Sequence, residues 1–215
     1  MLRFLLLAIL ATPALADEQV WLAGTVEGPI SGKLITWTDV QARFYDGGSR
    51  LGQVVLRPSL GIALKPGDGL YLGYAYFETY PEGRAAQTEQ RLWQQAQLRV
   101  LGTPGKAVLV SRTRLEQRFF SGQDETGWRL RQFTRGQVWV GKGWSLIGFN
   151  EAFAGLNETP AQPSGLSQLR NFVGAGKTLT PHLTLEAGYL NQRMIRPGAD
   201  ATNHIASISL FYRLY

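Results

Sequence analysis

From about Val20 onward, apolar and polar residues alternate in segments of roughly 10 to 14 residues. That two-residue period belongs to strands with one oily and one polar face. Helical periodicity is weak almost everywhere. Alternation is clearest in RTRLEQRF (112–119) and WRLRQFTRGQVWV (128–140), where arginines share one phase and alternate with apolar or neutral residues; LRVL (98–101) shows the same habit before the intervening turn. The pattern predicts strands near residues 19–27, 34–45, 51–64, 70–78, 88–101, 107–119, 128–140, 144–155, 166–177, 183–194 and 204–215. The fifth competes with a helix, because residues 84–101 are rich in helix formers and Leu92, Ala96 and Val100 also fit a helical stripe.

Connections between these strands alternate in length. GPISGK (28–33), KPGDG (65–69), GTPGK (102–106), GKG (141–143) and KTLTPH (177–182) are short and carry turn residues. Between them come the mostly longer stretches 45–50, 78–89, 120–127, 157–165 and 196–203. All five lysines, Lys33, Lys65, Lys106, Lys142 and Lys177, fall in the short set. Their spacings of 32, 41, 36 and 35 residues describe a repeating hairpin with one lysine-bearing rim. Short turns on one side and long polar loops on the other predict an all-β fold, an antiparallel transmembrane β-barrel with its short turns periplasmic and its loops extracellular. Trp37, Trp128, Trp139 and Trp144 stand near strand ends, as an aromatic girdle requires.

Composition agrees. The 215 residues include 25 Gly and no Cys, with 44% hydrophobic, 18% charged and 11% aromatic residues, which excludes a disordered chain and a disulfide scaffold. Met1 to Ala16, MLRFLLLAILATPALA, has a basic start at Arg3, a short apolar run and Ala14-Leu15-Ala16 before Asp17. It reads as a secretory signal peptide cleaved after Ala16, leaving one domain, residues 17–215, and lowering the formal net charge from +6 to +5. No later stretch supplies the 18 apolar residues of a spanning helix.

Inward-phased residues carry the candidate chemistry. Arg91, Arg99, Arg112, Arg114, Arg118, Arg129, Arg131 and Arg135 fall in one phase on three successive strands, with Glu116 among them. Eight arginines on the wall of a narrow lumen form an anion-binding candidate, or a plug of interlocking guanidinium, Gln and Glu groups. Asp39 and Glu116 read as ion-pair partners in that interior rather than as a catalytic acid pair. A lipocalin-like barrel would instead fill its interior with apolar residues, and a soluble sandwich would place the arginines in solvent. Gln94, Gln117 and Gln132 fall on the oily face, which predicts shifted registers or bulges there. Counting strands exposes a conflict: eleven candidates are odd, single-chain bacterial barrels are even, so ten or twelve strands are expected.

The patches RLWQQAQLR (91–99), RTRLEQRFF (112–120), LEAGYLNQR (185–193) and NHIASISLFYRLY (203–215) come in order with VWLAGTVEG (20–28) and TWTDVQARF (36–44). Together they resemble domain-of-unknown-function family 2490, a group of bacterial proteins regarded as outer-membrane β-barrels. The resemblance implies fold and location and brings no settled activity. The last residues resemble the signal read by the barrel assembly machinery, with Tyr215 as the final aromatic. Ile208, Leu210 and Tyr212 form the apolar set, in the opposite phase to Tyr215.

Little else supports chemistry. With no Cys and only His182 and His204, a metal centre is not expected, and no cofactor is implied. His204, upstream of Ser207 and Ser209, resembles in composition the His and Ser of lipid A deacylase barrels, although no acid is identified. No phosphate-binding loop is present, and alternating arginines without an aromatic platform do not suit nucleic acid. The expected partners are outer-membrane lipid and lipopolysaccharide, with the assembly machinery during biogenesis, around a monomer. Three functional readings follow: a non-enzymatic barrel with an arginine-rich lumen, a narrow anion-selective channel resembling in size the oligogalacturonate-specific porins, and a lipid A-modifying hydrolase.

Overall fold

The computed structural model describes residues 16–215, so the leader expected over residues 1–16 lies, except for Ala16, outside the described residues. Twelve strands follow one another: β1 (Ala16–Ser31), β2 (Leu34–Tyr45), β3 (Arg50–Arg57), β4 (Ser59–Lys65), β5 (Asp68–Thr79), β6 (Gln87–Thr103), β7 (Ala107–Phe120), β8 (Gly127–Gly141), β9 (Trp144–Gly155), β10 (Gly165–Thr178), β11 (Leu183–Met194) and β12 (Ala201–Arg213). Strands β3 and β4 are two halves of one stave, since both lie between β2 and β5. Pro58 separates them. It has no N–H to give the ladder, yet its carbonyl still accepts from the Tyr74 amide at 3.1 Å, so the stave continues.

Eleven staves therefore close a barrel in sequence order, each antiparallel to the next. The expectation of ten or twelve is corrected. An up-and-down chain with an odd number of staves brings its first and last strands together running the same way. Here β1 pairs β12 in parallel, from Ala16↔Thr202 through Glu27↔Arg213. Residues 17–28 form a full member of the wall. Residues 87–103, where helix competed with strand, are a strand because its inward residues join the packed interior and its edges pair both neighbours.

All five lysines lie at the short-turn end, with Lys177 Nζ donating to the Lys142 carbonyl at 2.7 Å. Two apolar clusters sit inside. One joins Trp21, Ile147, Phe172, Leu190 and Ile205, with Phe149 against it. The other joins Val55, Ala75, Phe77 and Trp93, backed by Trp37 and Tyr71. Trp93 lies flat because Gly73, its cross-strand partner, has no Cβ; a methyl there would occupy the space of the indole. The outer wall is apolar, with Leu72 62% exposed and Val173 64% exposed.

Gln94, Gln117 and Gln132 face this outer wall where the register is regular; the irregularity of the β6–β7 pair lies elsewhere, between Arg99 and Leu101. They satisfy one another locally. Gln94 and Gln117 exchange amide hydrogen bonds at 3.2 and 3.0 Å, while Thr113 donates to Gln132 at 2.6 Å and Gln132 to Ser111 at 2.9 Å. At the C-terminus, Ile208, Leu210 and Tyr212 point outward, and Tyr215 lies beyond the strand end, its hydroxyl donating to the Pro181 carbonyl at 2.9 Å.

Candidate functional site

Strands β6, β7 and β8 place their arginines inside because residues two apart in a strand share a face. Glu116, 1% exposed, sits at the hub. Arg129 Nη2 and Arg131 Nη1 each donate to it at 2.6 Å, and Arg91 and Arg114 lie 3.5 and 3.8 Å away. Arg131 also reaches Glu151 on β9. Glu89 takes both Arg91 and Arg118 at 2.6 Å. Arg114 donates to Gln95 at 2.6 and 2.8 Å and rests its guanidinium 3.9 Å over Trp93. A buried carboxylate is stable only with such compensation, and a buried arginine only with acceptors or an aromatic face.

This lattice fills the half of the lumen toward the long loops. The β9–β10 connection folds over it, tied back on itself by a bridge between Thr159 and Gln162. Gln162 donates to the Trp128 carbonyl at 2.8 Å and accepts from Arg118 at 2.9 Å. Arg91, Arg114 and Arg129, all buried, and the loop tied to Arg118 and Trp128 form a stopper at that end.

Toward the short turns it opens into a cup of about 440 Å³, whose lining reaches Gly67 and Pro104 at the rim and includes no long-loop residue. Eight arginines and four carboxylates line it. Each carboxylate has its own arginine: Arg57 donates to Asp39 at 2.6 and 2.9 Å, Arg135 to Glu186 at 2.6 and 3.0 Å, Arg213 to Glu27 at 3.0 Å, and Arg131 to Glu151. Phe133, Phe149 and Phe172 form a continuous aromatic wall across β8, β9 and β10, with centroids 5.0 and 4.8 Å apart and the latter pair stacked at 11°.

A family of proteins of unknown function, designated DUF2490, matches residues 18–203. The chain belongs to it. A similar relative is an uncharacterized protein of Methylorubrum extorquens, 34% identical over 96% of this chain and 95% of its own length. No solved structure matches.

In this DUF2490 member, all nine expected lumen residues, Arg91, Arg99, Arg112, Arg114, Arg118, Arg129, Arg131, Arg135 and Glu116, belong to the inner face. Arg99 and Arg112 stand apart from the lattice and line the cup. Glu116 is not the sole acid among these arginines, because Glu89, Glu151 and Glu186 also point inward. Arg43, Arg57 and Arg170 join the cationic set from β2, β3 and β10. Glu89 shares the phase of Arg91 two residues away, a signal present in the sequence. The others stand singly in their strands, where no repetition marks them.

Two further expectations change. Trp37 and Trp139 line the cup, leaving Trp128 and Trp144 on the outer wall, because Trp37 shares the phase of Asp39 and Trp139 that of Gln137. His204 faces outward beside Tyr189, whose hydroxyl bonds its Nδ1, whereas Ser207 and Ser209 line the cup. An odd separation puts them on opposite faces of β12, so these residues do not assemble a hydrolytic pair.

Proposed function

We propose that this chain is an outer-membrane barrel, delivered by its signal peptide, that acts by binding within its lumen rather than by conducting or catalysing. The observation that carries the membrane reading is the inverted polarity of the wall: leucines and valines cover the outside, while charged residues as buried as Glu116 fill the interior. That arrangement suits hydrocarbon outside and is costly in water. Strands of at least twelve residues in ten of the eleven staves exceed the roughly 9–11 that a tilted strand needs to cross. The interrupted stave of β3 and β4 is equally long when taken together.

The stopper at the long-loop end supports binding over passage. A narrow anion channel is the second reading, favoured by the excess of arginines over carboxylates in the cup. The mature chain, purified from membranes, should need detergent to stay in solution and should migrate differently on gels before and after boiling. Reconstituted in planar bilayers it should be electrically silent. Solubility in plain buffer overturns the membrane reading; anion-selective conductance that falls when Arg112, Arg114 and Arg129 become Gln replaces binding with conduction.

A further inference from the structure

The four carboxylates of the cup are each engaged by an arginine, which leaves Arg43, Arg99, Arg112 and Arg170 without one of their own. Arg43 is held by Gln41 at 2.8 Å and Gln53 at 2.6 Å, and Arg170 lies 3.5 Å from Glu151 as a second partner. Arg112 differs. Among the described residues its guanidinium has no hydrogen-bond acceptor; it stands 4.0 Å from the Phe133 ring centroid and 5.1 Å from that of Trp37. Stacking occupies the faces of a guanidinium and leaves its in-plane N–H groups free, and those are the groups that fork onto a carboxylate.

Phe133 then leads away from Arg112 along the stacked wall of Phe149 and Phe172 toward Leu190. A cationic head site thus adjoins an aromatic surface in a mixed polar and apolar cavity of small-molecule size. A simple inorganic anion would leave that wall unused.

We propose that the cup is a binding site for a small organic anion with a planar apolar body, in chemical class an aromatic carboxylate, its head on Arg112 and its ring against Phe149 and Phe172. This proposal rests on the reading of the lumen as a binding site stoppered at the long-loop end.

The test is calorimetric titration of the detergent-purified chain with 2-naphthoate, against a micelle blank. Saturable one-to-one binding is expected. It should weaken about tenfold or more for 2-naphthalenemethanol, which keeps the ring and loses the charge, and for acetate and galacturonate, which keep the charge and lose the ring. R112Q should weaken 2-naphthoate about tenfold, the scale of a lost charge-assisted hydrogen bond, with R112K between. No saturable heat, equal binding of the alcohol, equal binding of acetate or galacturonate, or an unaffected R112Q overturns the proposal. If R112Q does not fold, the ligand comparison on the unaltered chain decides. A barrel that conducts yet binds 2-naphthoate as described sinks the stoppered reading alone; a silent barrel that ignores 2-naphthoate sinks the ligand alone.

Discussion

Glu27 and Arg213, 186 residues apart in the chain, meet across the parallel β1–β12 pair, with Arg213 Nε donating to Glu27 Oε1 at 3.0 Å. Both remain partly exposed, so the ion pair adds little to the joint. The backbone does more: the Leu214 amide donates to the Glu27 carbonyl at 2.8 Å, and Gly28 sits at φ +129° against the Leu214 carbonyl. E27Q should therefore change stability by less than about 1 kcal/mol. G28A, which adds a Cβ where strain and contact both oppose it, should cost about 1–3 kcal/mol or more. Denaturant unfolding from micelles would rank the two; equal effects would mean the side chains hold this joint.

Glu116 is the hub of the stopper, with four arginines within 3.8 Å. E116Q keeps the shape and removes the charge that compensates them. A loss of about 3–5 kcal/mol is expected, as for breaking a buried pair from one side. E116Q/R129Q should recover part of it, because one uncompensated cation leaves with the acid. The boiling-shift midpoint on gels reads both, and a double variant no better than the single would assign Glu116 a role other than charge balance.

Gly73 makes room for Trp93, which is fully buried. G73A overpacks that site and should destabilise by about 1–3 kcal/mol. Pairing it with W93L should restore most of the loss, since the smaller side chain vacates the space. Unfolding of the two variants tests this, and a harmless G73A would show that the indole has another place to go.

At the long-loop end, Asp200 accepts from Arg193 Nε at 2.6 Å and from the Arg196 amide at 3.3 Å. The Arg193 hydrogen bond, then the Arg196 amide, lower its pKa below the ordinary aspartate value. The clasp is thus complete above the ordinary aspartate range and is lost as pH falls through the lowered value. Limited proteolysis of the 195–200 loop should quicken on acidification, and R193Q should move the onset to higher pH. An onset unchanged by R193Q would disconnect the loop from this pair.

The arginine wall was legible because one phase writes it out: Arg112, Arg114 and Arg118 with Glu116 on one strand, Arg129, Arg131 and Arg135 on the next. Its compensation was not. Glu151 and Glu186 are the lone acids of their strands, with no repeat to mark them, and only the folded barrel brings them to Arg131 and Arg135. The outward glutamines looked like slips because local sequence does not show that Gln94 and Gln117 satisfy each other across the strands. Stave number escaped for a similar reason. Eleven segments could be counted, but a parallel closing pair leaves no turn to announce it.

Every other joint in this wall begins at a connection that tethers its two strands. The β1–β12 pairing has no such tether and joins the extremes of the described chain, so it can zip only after its ten companions have been laid side by side. Until then the sheet is an open ribbon with two raw margins pointing the same way, each a row of idle amides and carbonyls that must be shielded from other chains. Maturation of this protein therefore comes down to guarding two edges and then letting them find each other.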